Sequence, residues 1–274
     1  MSIKTILTLY DGADGSMGRL EEAVEIARAN DAHLTVFGFT LDVAVHPNVY
    51  AGVGSAAVAQ IADKAREELA KLREKIDAYL VNSGIPFNIE TDVCFASDVA
   101  EDVAALARFA DLTLLPDTGE GPFQETRTQV VETVLFSCES RVVLLPDGYK
   151  GPLIGPTVIA WDMSREATLA VKAALPFLKH APKVDIACVN VAEGTLPAAR
   201  LGPFLDRHGI KAEVVPLSSK GSSISETLNT HADSIGAELM VMGAYGHSRL
   251  REIVFGGVTR KTLRGVKRPT LMAH

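Results

Sequence analysis

Four glycines close to the C-terminal end stand at a spacing that could do chemistry. Met242-Gly243-Ala244-Tyr245-Gly246 is followed, after nine residues, by Gly256-Gly257-Val258-Thr259 at the expected start of a helix. Glycine lets backbone N–H groups approach a phosphate closely, and a helix N-terminus adds the positive end of its dipole. The pattern therefore suits a phosphorylated ligand. Other candidates are weaker: His247 follows the second glycine and could meet a phosphate, but it is a single imidazole with no evident acid or base partner. A Ser222, His247 and Asp162 triad could be assembled only by free choice, and no nucleophile elbow, HExxH or Walker A pattern occurs. Cys94, Cys138 and Cys188 lie singly among apolar neighbours without ligand spacing, which reads as reduced, packed thiols.

Positioning such a loop requires strands that end beside it. In the second half, Thr157 to Ala160, Asp185 to Val191, Ala212 to Leu217 and Leu239 to Met242 read as strands, with helices over Ser164 to Leu178 and from the Ser223/Glu226 capping box to Ile235. The first half reads in the same order. Strands are expected at Lys4 to Leu9, His33 to Phe39, Phe87 to Cys94, Leu112 to Leu115 and Val142 to Leu145. Helices are expected over Met17 to Arg28, Val58 to Leu80, a segment opened by an Asp98/Glu101 capping box, and Gln129 to Phe136. Thr128 to Leu144 also aligns without a gap against Gly256 to Met272, so the chain reads as two copies of one unit. The Gly/Pro-rich Gly151 to Pro156 separates them, giving expected domains 1–150 and 151–274. Strands alternating with helices predict an α/β fold, two tandem domains that are each an open parallel sheet with helices on both faces. Ligands of such sheets bind beyond the carboxyl ends of the strands where strand order reverses, and both Asp162 and Gly243 would stand there.

The Gly-x2-Gly-x9-Gly spacing, taken with this strand order, resembles the ATP-binding branch of the universal stress protein family, and both halves fit its unit. The resemblance implies a five-stranded sheet of the adenine nucleotide alpha hydrolase type in each domain. It implies ATP or another adenine nucleotide, with or without Mg²⁺, in the C-terminal domain. Carried over, Ala160 and Asp162 would face base and ribose, Asn190 would offer backbone to the base with Met242 close by, and Gly243, Gly246, Gly256, Gly257, Val258 and Thr259 would cradle ribose and phosphates. The family usually has Ser or Thr where this chain has Gly257, which removes a hydroxyl from the terminal phosphate. In the first copy the equivalents are Thr128 and Gln129, and the turn Pro116-Asp117-Thr118-Gly119-Glu120 brings acidic residues, so its phosphate loop is lost. The family also implies pairing through terminal strands, hence an intrachain pseudo-dimer and a homodimer of chains.

Charge divides unevenly: residues 1–150 carry 12 Lys+Arg against 24 Asp+Glu, and residues 151–274 carry 15 against 10. Seven of the basic residues follow His247, which favours a polyanion at that end. With no aromatic interleaving and no reader motif, nucleic acid is an unfavoured partner. No apolar run approaches about 18 residues, so a soluble cytoplasmic protein without a membrane partner is expected. The functional expectation is a nucleotide-binding regulatory or stress-response protein rather than an enzyme. A slow ATP-hydrolysing enzyme and an interaction module with a vestigial site stay open. Trp161 would either stack on adenine or pack over the domain interface, and His231 reads as solvated.

Overall fold

Short apolar runs closed by turn residues become the strands of one sheet. The computed structural model describes residues 3–13, 15–41, 55–119, 124–138, 141–149, 151, 153–192, 194–244 and 265–274. The first half runs β1 (Thr5–Tyr10), α1 (Ser16–Asn30), β2 (His33–Leu41), α2 (Ser55–Leu80), β3 (Phe87–Cys94), α3 (Val99–Ala107), β4 (Leu112–Pro116), α4 (Gln124–Ser137) and β5 (Arg141–Leu145). The second runs β6 (Thr157–Ala160), α5 (Arg165–Leu178), β7 (Val184–Val189), α6 (Leu201–Arg207), β8 (Glu213–Leu217), α7 (Ile224–Ser234), β9 (Leu239–Gly243) and β10 (Thr270–Ala273). The glycines Gly246, Gly256 and Gly257, with Val258 and Thr259, lie outside the described residues, as does His247.

All ten strands join in one sheet ordered β3-β2-β1-β4-β5-β10-β9-β6-β7-β8. Each set of five is parallel within itself and has the same internal order, and the sets meet antiparallel through β5 and β10. At that seam Val143 pairs with Leu271, while Leu144 pairs with Thr270 and Val142 with Met272. Val143 and Leu271 are equivalents in the gapless alignment, so a local two-fold axis passes between them. The two halves are thus copies in space as well as in sequence.

Strands buried on both faces are nearly continuous in apolar residues, because helices cover each side. Val143, Leu145, Ile159 and Leu271 face a core closed by α1, α2, α5 and α6. Val142, Leu144, Val158 and Met272 face a second core closed by α3, α4 and α7. Among the described residues no helix is long and apolar enough to cross a membrane.

Local signals held unevenly. Ser223 caps α7 as expected, its Oγ accepting from the Glu226 N–H while the Glu226 carboxylate accepts from the Ser223 N–H. Asp98 makes no such bond at α3, since its carboxylate accepts instead from the Ser97 hydroxyl at 2.7 Å. Helix α4 starts at Gln124 rather than Gln129, with Glu125 in its first turn favouring the positive helix end. His231 is not solvated: its Nε2 lies 2.9 Å from Asp185 Oδ2, and its side chain is only 12% exposed. That bond joins α7 to the buried Asp185 of β7, a contact across the sheet that helix periodicity cannot reveal.

Candidate functional site

The crevice of the second half lies beyond the carboxyl ends of β6, β7 and β9, where the chain leaves β6 for β7 on one side and returns as β9 on the other. Ala160 pairs with Ala187 of β7 and with Met242 of β9, so these three stand at one level of the sheet. Ala160 is half-buried and Met242 is buried in the sheet core. Asp162 follows with its carboxylate exposed. Its Oδ1 accepts from the Ser164 N–H at 2.9 Å, which shapes the turn into α5, and among the described residues it makes no ion pair. Ser164 then caps α5 by accepting from the Ala167 N–H at 3.0 Å.

Gly243 closes β9 against that same first turn. A Cβ placed on it would lie 2.5 Å from the Ala167 nitrogen and 2.7 Å from the Glu166 carbonyl carbon, so the close approach of strand and helix requires glycine. The glycine is therefore explained by packing before any ligand is considered. Asn190, at the end of β7, adopts a φ of 56°, which Asn tolerates better than most residues. Its side chain clamps the loop after β8, accepting from the Ser219 N–H at 3.0 Å and donating to the Ser219 hydroxyl at 3.1 Å. Trp161 packs on the core under α5 and α6 and donates from its indole N–H to the Pro197 carbonyl at 2.8 Å, which places it in the fold of the second half. Ala160, Asp162, Asn190, Met242 and Gly243 therefore share one strand-end region; the remaining expected site residues lie outside the described part.

The corresponding place in the first half is closed by its own charges. Thr8 pairs with Leu114 and Ile159 with Val241, each partner being the middle residue of its strand, so Asp11 and Asp162 are equivalents three residues further on. Asp11 is buried where Asp162 is exposed. Arg127, in the first turn of α4, donates to Asp11 Oδ2 from Nε at 3.1 Å and from Nη2 at 2.9 Å. Its Nη1 reaches Asp147 at 3.2 Å. Arg19 of α1 bridges the same two carboxylates, at 3.4 Å each, and Ser16 donates its hydroxyl to Asp11. Two guanidiniums and two carboxylates thus alternate in a ring.

Burial pushes the Asp11 carboxyl up, but the charges of Arg19 and Arg127 outweigh it and hold the group below the usual carboxylate range. Nearby Asp117 is raised: burial, with the charge of Asp147, outweighs the Gly119 N–H and the charges of the same two arginines. Gly15 is held at φ 92° with Asp147 so near that a Cβ would sit 2.6 Å from its Oδ1. Sequence reasoning saw the acidic turn of this half and missed the arginines. The available signal was an Arg at position 19 inside an apolar helix stripe and another one residue before Thr128.

A profile of the universal stress protein family matches residues 204–274. That C-terminal stretch is thus similar in sequence to the universal stress protein family. A universal stress protein from Archaeoglobus fulgidus DSM 4304 covers 99% of this chain with 96% of its own length, at 17% identity and a TM-score of 0.69. A functionally unknown protein from Pseudomonas aeruginosa PAO1 covers 99% with 92% of its length, at 15% identity and a TM-score of 0.54. These likenesses extend the universal stress fold over both halves. A universal stress protein solved in complex with cAMP covers 53% of this chain with 98% of its own length, at 18% identity and a TM-score of 0.33, too low to carry its ligand across. No curated protein matches the chain.

Proposed function

We propose that the second universal stress domain, residues 151–274, binds one adenine nucleotide and that the first, residues 1–150, binds none. The protein then acts in the cytoplasm as a nucleotide-responsive regulator. The observation that carries this reading is the pair of equivalent aspartates: Asp162 stands exposed and, among the described residues, makes no ion pair at the strand-order reversal, whereas Asp11 is taken up by Arg19 and Arg127. An exposed carboxylate at that point can accept hydrogen bonds from ribose hydroxyls, and the glycines Gly243, Gly246, Gly256 and Gly257 supply backbone donors for phosphates. In this reading Ala160, Asn190 and Met242 border the base, and Val258 and Thr259, outside the described residues, are assigned to the phosphates. Mg²⁺ would enter with the nucleotide, held by its phosphates. No clustering of His, Cys, Asp or Glu suited to a metal ion occurs among the described residues.

Calorimetry with ATP, ADP and AMP tests the reading. One site per chain is expected, weakened by Asp162→Ala and unaffected by Asp11→Asn. Two sites per chain, or an Asp162→Ala protein with unchanged affinity, would overturn it. A homodimer of chains would have to use surfaces other than β5 and β10, since those terminal strands already pair within the chain; light scattering on the purified protein measures that state.

A further inference from the structure

Away from the strand-end crevice, α1 of the first half and α5 of the second flank a cleft of about 1090 Å³. The junction between the halves, with Tyr149, Gly151 and Leu153, forms part of its wall. None of Asp162, Asn190 or Gly243 borders it. Its apolar lining comes from both halves, with Ile3 and Ile26 from the first, Leu153 at the junction, and Leu175, Pro176 and Phe177 from the second. A volume of this order suits a small organic ligand, for which the usual range is about 300–1,000 Å³.

One buried ionisable group faces this space. Glu22 of α1 is 8% exposed and borders the cleft, and the Leu153 backbone N–H donates to its carboxylate. Among the described residues no Lys or Arg forms an ion pair with it. Burial, followed by the charge of Glu25, raises its carboxyl to about 7. Tyr149 lies close enough to feel the Glu22 charge, and its hydroxyl is pushed up to about 12, first by burial. A buried carboxylate without a cation is costly, and a ligand that brings the cation removes that cost.

We propose that this cleft binds a small organic amine, its ammonium group on the Glu22 carboxylate and its apolar body against Ile26, Leu153 and Leu175. The basic side chains of the opposite wall, Lys172, Lys179 and His180, are exposed. Their charges are screened by solvent, whereas the field of the buried Glu22 is not, so the carboxylate decides the sign of the ligand. Tyr79 and Tyr149 also line the cleft, and aromatic rings beside a cation favour it further.

The probes are tryptamine and tryptophol, which share an indole body and differ in carrying an ammonium or a hydroxyl. Ligand-observed NMR titration of the full chain is expected to show saturable tryptamine binding, about tenfold weaker for Glu22→Gln, with tryptophol equally weak in both proteins. Ala29→Trp, which adds bulk to the cleft wall, should also displace tryptamine. Since binding requires the ionised carboxylate, the wild-type affinity should tighten about tenfold from pH 6 to pH 8 for a group titrating near 7. Other titratable groups border the same cleft or its walls: Glu21 and Glu25 on α1, Tyr79 on α2, Tyr149 at the junction, Glu238 before β9, Lys172 on α5, Lys179 and His180 just after it, and His208 after α6. The doubly substituted His180→Asn, His208→Asn protein should keep the pH dependence. Absence of tryptamine binding, equal binding of the two probes, an unaffected Glu22→Gln, an unaffected Ala29→Trp, or loss of the pH dependence in the histidine double variant would each overturn the proposal.

Discussion

Each half of the sheet carries an aspartate just past its first strand, and the surroundings of the two differ completely. Asp11 lies under a ring of Arg19, Arg127 and Asp147, while Asp162 only shapes a turn and leaves its carboxylate in solvent. The first arrangement ties α1, α4 and the end of β5 to β1. Among the described residues the second makes only the hydrogen bond within its own turn. A duplicated unit has thus kept the same residue for a structural purpose in one copy and left it available in the other.

The sharpest way to break this comparison is to remove both aspartates, one at a time. Asp11→Ala leaves two buried guanidiniums sharing one half-exposed carboxylate and should cost about 3–5 kcal/mol, whereas Asp162→Ala should stay within about 0.5 kcal/mol in urea denaturation. Equal losses would show that the ring is not structural. The acid limb has a definite sign as well. Because the Asp11 carboxyl is held below its ordinary value, its contribution is present above the unfolded pKa and disappears as pH falls through the lower folded one. The wild-type and Asp11→Asn stabilities should therefore converge in acid.

The two helices that face each other across the cleft extend the comparison. The Glu22 carboxyl is raised to about 7 in the folded chain, above its ordinary value of 4.5, so the folded state is penalised increasingly as pH rises from the lower to the higher value and constantly beyond it. Glu22→Gln should raise stability by about 2–3 kcal/mol at pH 8 and by little below pH 4.5, the difference expected for a shift of this size. Thermal melts at the two pH values measure it, and a pH-independent gain would point to packing rather than charge.

A smaller effect belongs to Gly243, whose place at the end of the fourth strand is taken by Pro116 in the first half. Gly243→Ala should cost about 1–3 kcal/mol, as overpacking against the Ala167 backbone does. A neutral substitution would mean that the first turn of α5 yields. The smallest expected effect is on ligand affinity: Asp162→Asn should weaken an adenine nucleotide by about tenfold, corresponding to about 1.4 kcal/mol. Asp11→Asn should leave that affinity unchanged in calorimetry.

Much of this was legible in the sequence because it is written in local pattern. The strands of both halves follow from apolar periodicity and turn residues, and the gapless match of Thr128–Leu144 to Gly256–Met272 from comparing the two halves. The seam then confirms the match residue by residue, by pairing the equivalents Val143 and Leu271. The ring around Asp11 could not be read in that way, since the bond from Arg127 to Asp11 spans 116 residues and no periodicity specifies it. His231 failed for the same reason, its partner Asp185 lying 46 residues away on another element. Asp98 shows the opposite error, a correct local pattern whose acceptor was claimed by the adjacent Ser97. In the second half the placement of Asp162 and Gly243 was legible, but the packing reason for Gly243 was not, because it depends on how close α5 comes.

The β5–β10 seam has a consequence for the order in which the molecule can be completed. Strand β10 lies between β5 and β9 but follows every other described strand in the chain. During synthesis the first half can assemble its five strands while β5, with Arg141 to Leu145 all buried in the finished sheet, still offers an open hydrogen-bonding edge to whatever is near. That edge stays unprotected until Thr270 to Ala273 have left the ribosome and inserted. The step that joins the two halves is therefore also the step that covers the inner edges of β5 and β9, leaving β3 and β8 as the outer strands of the sheet.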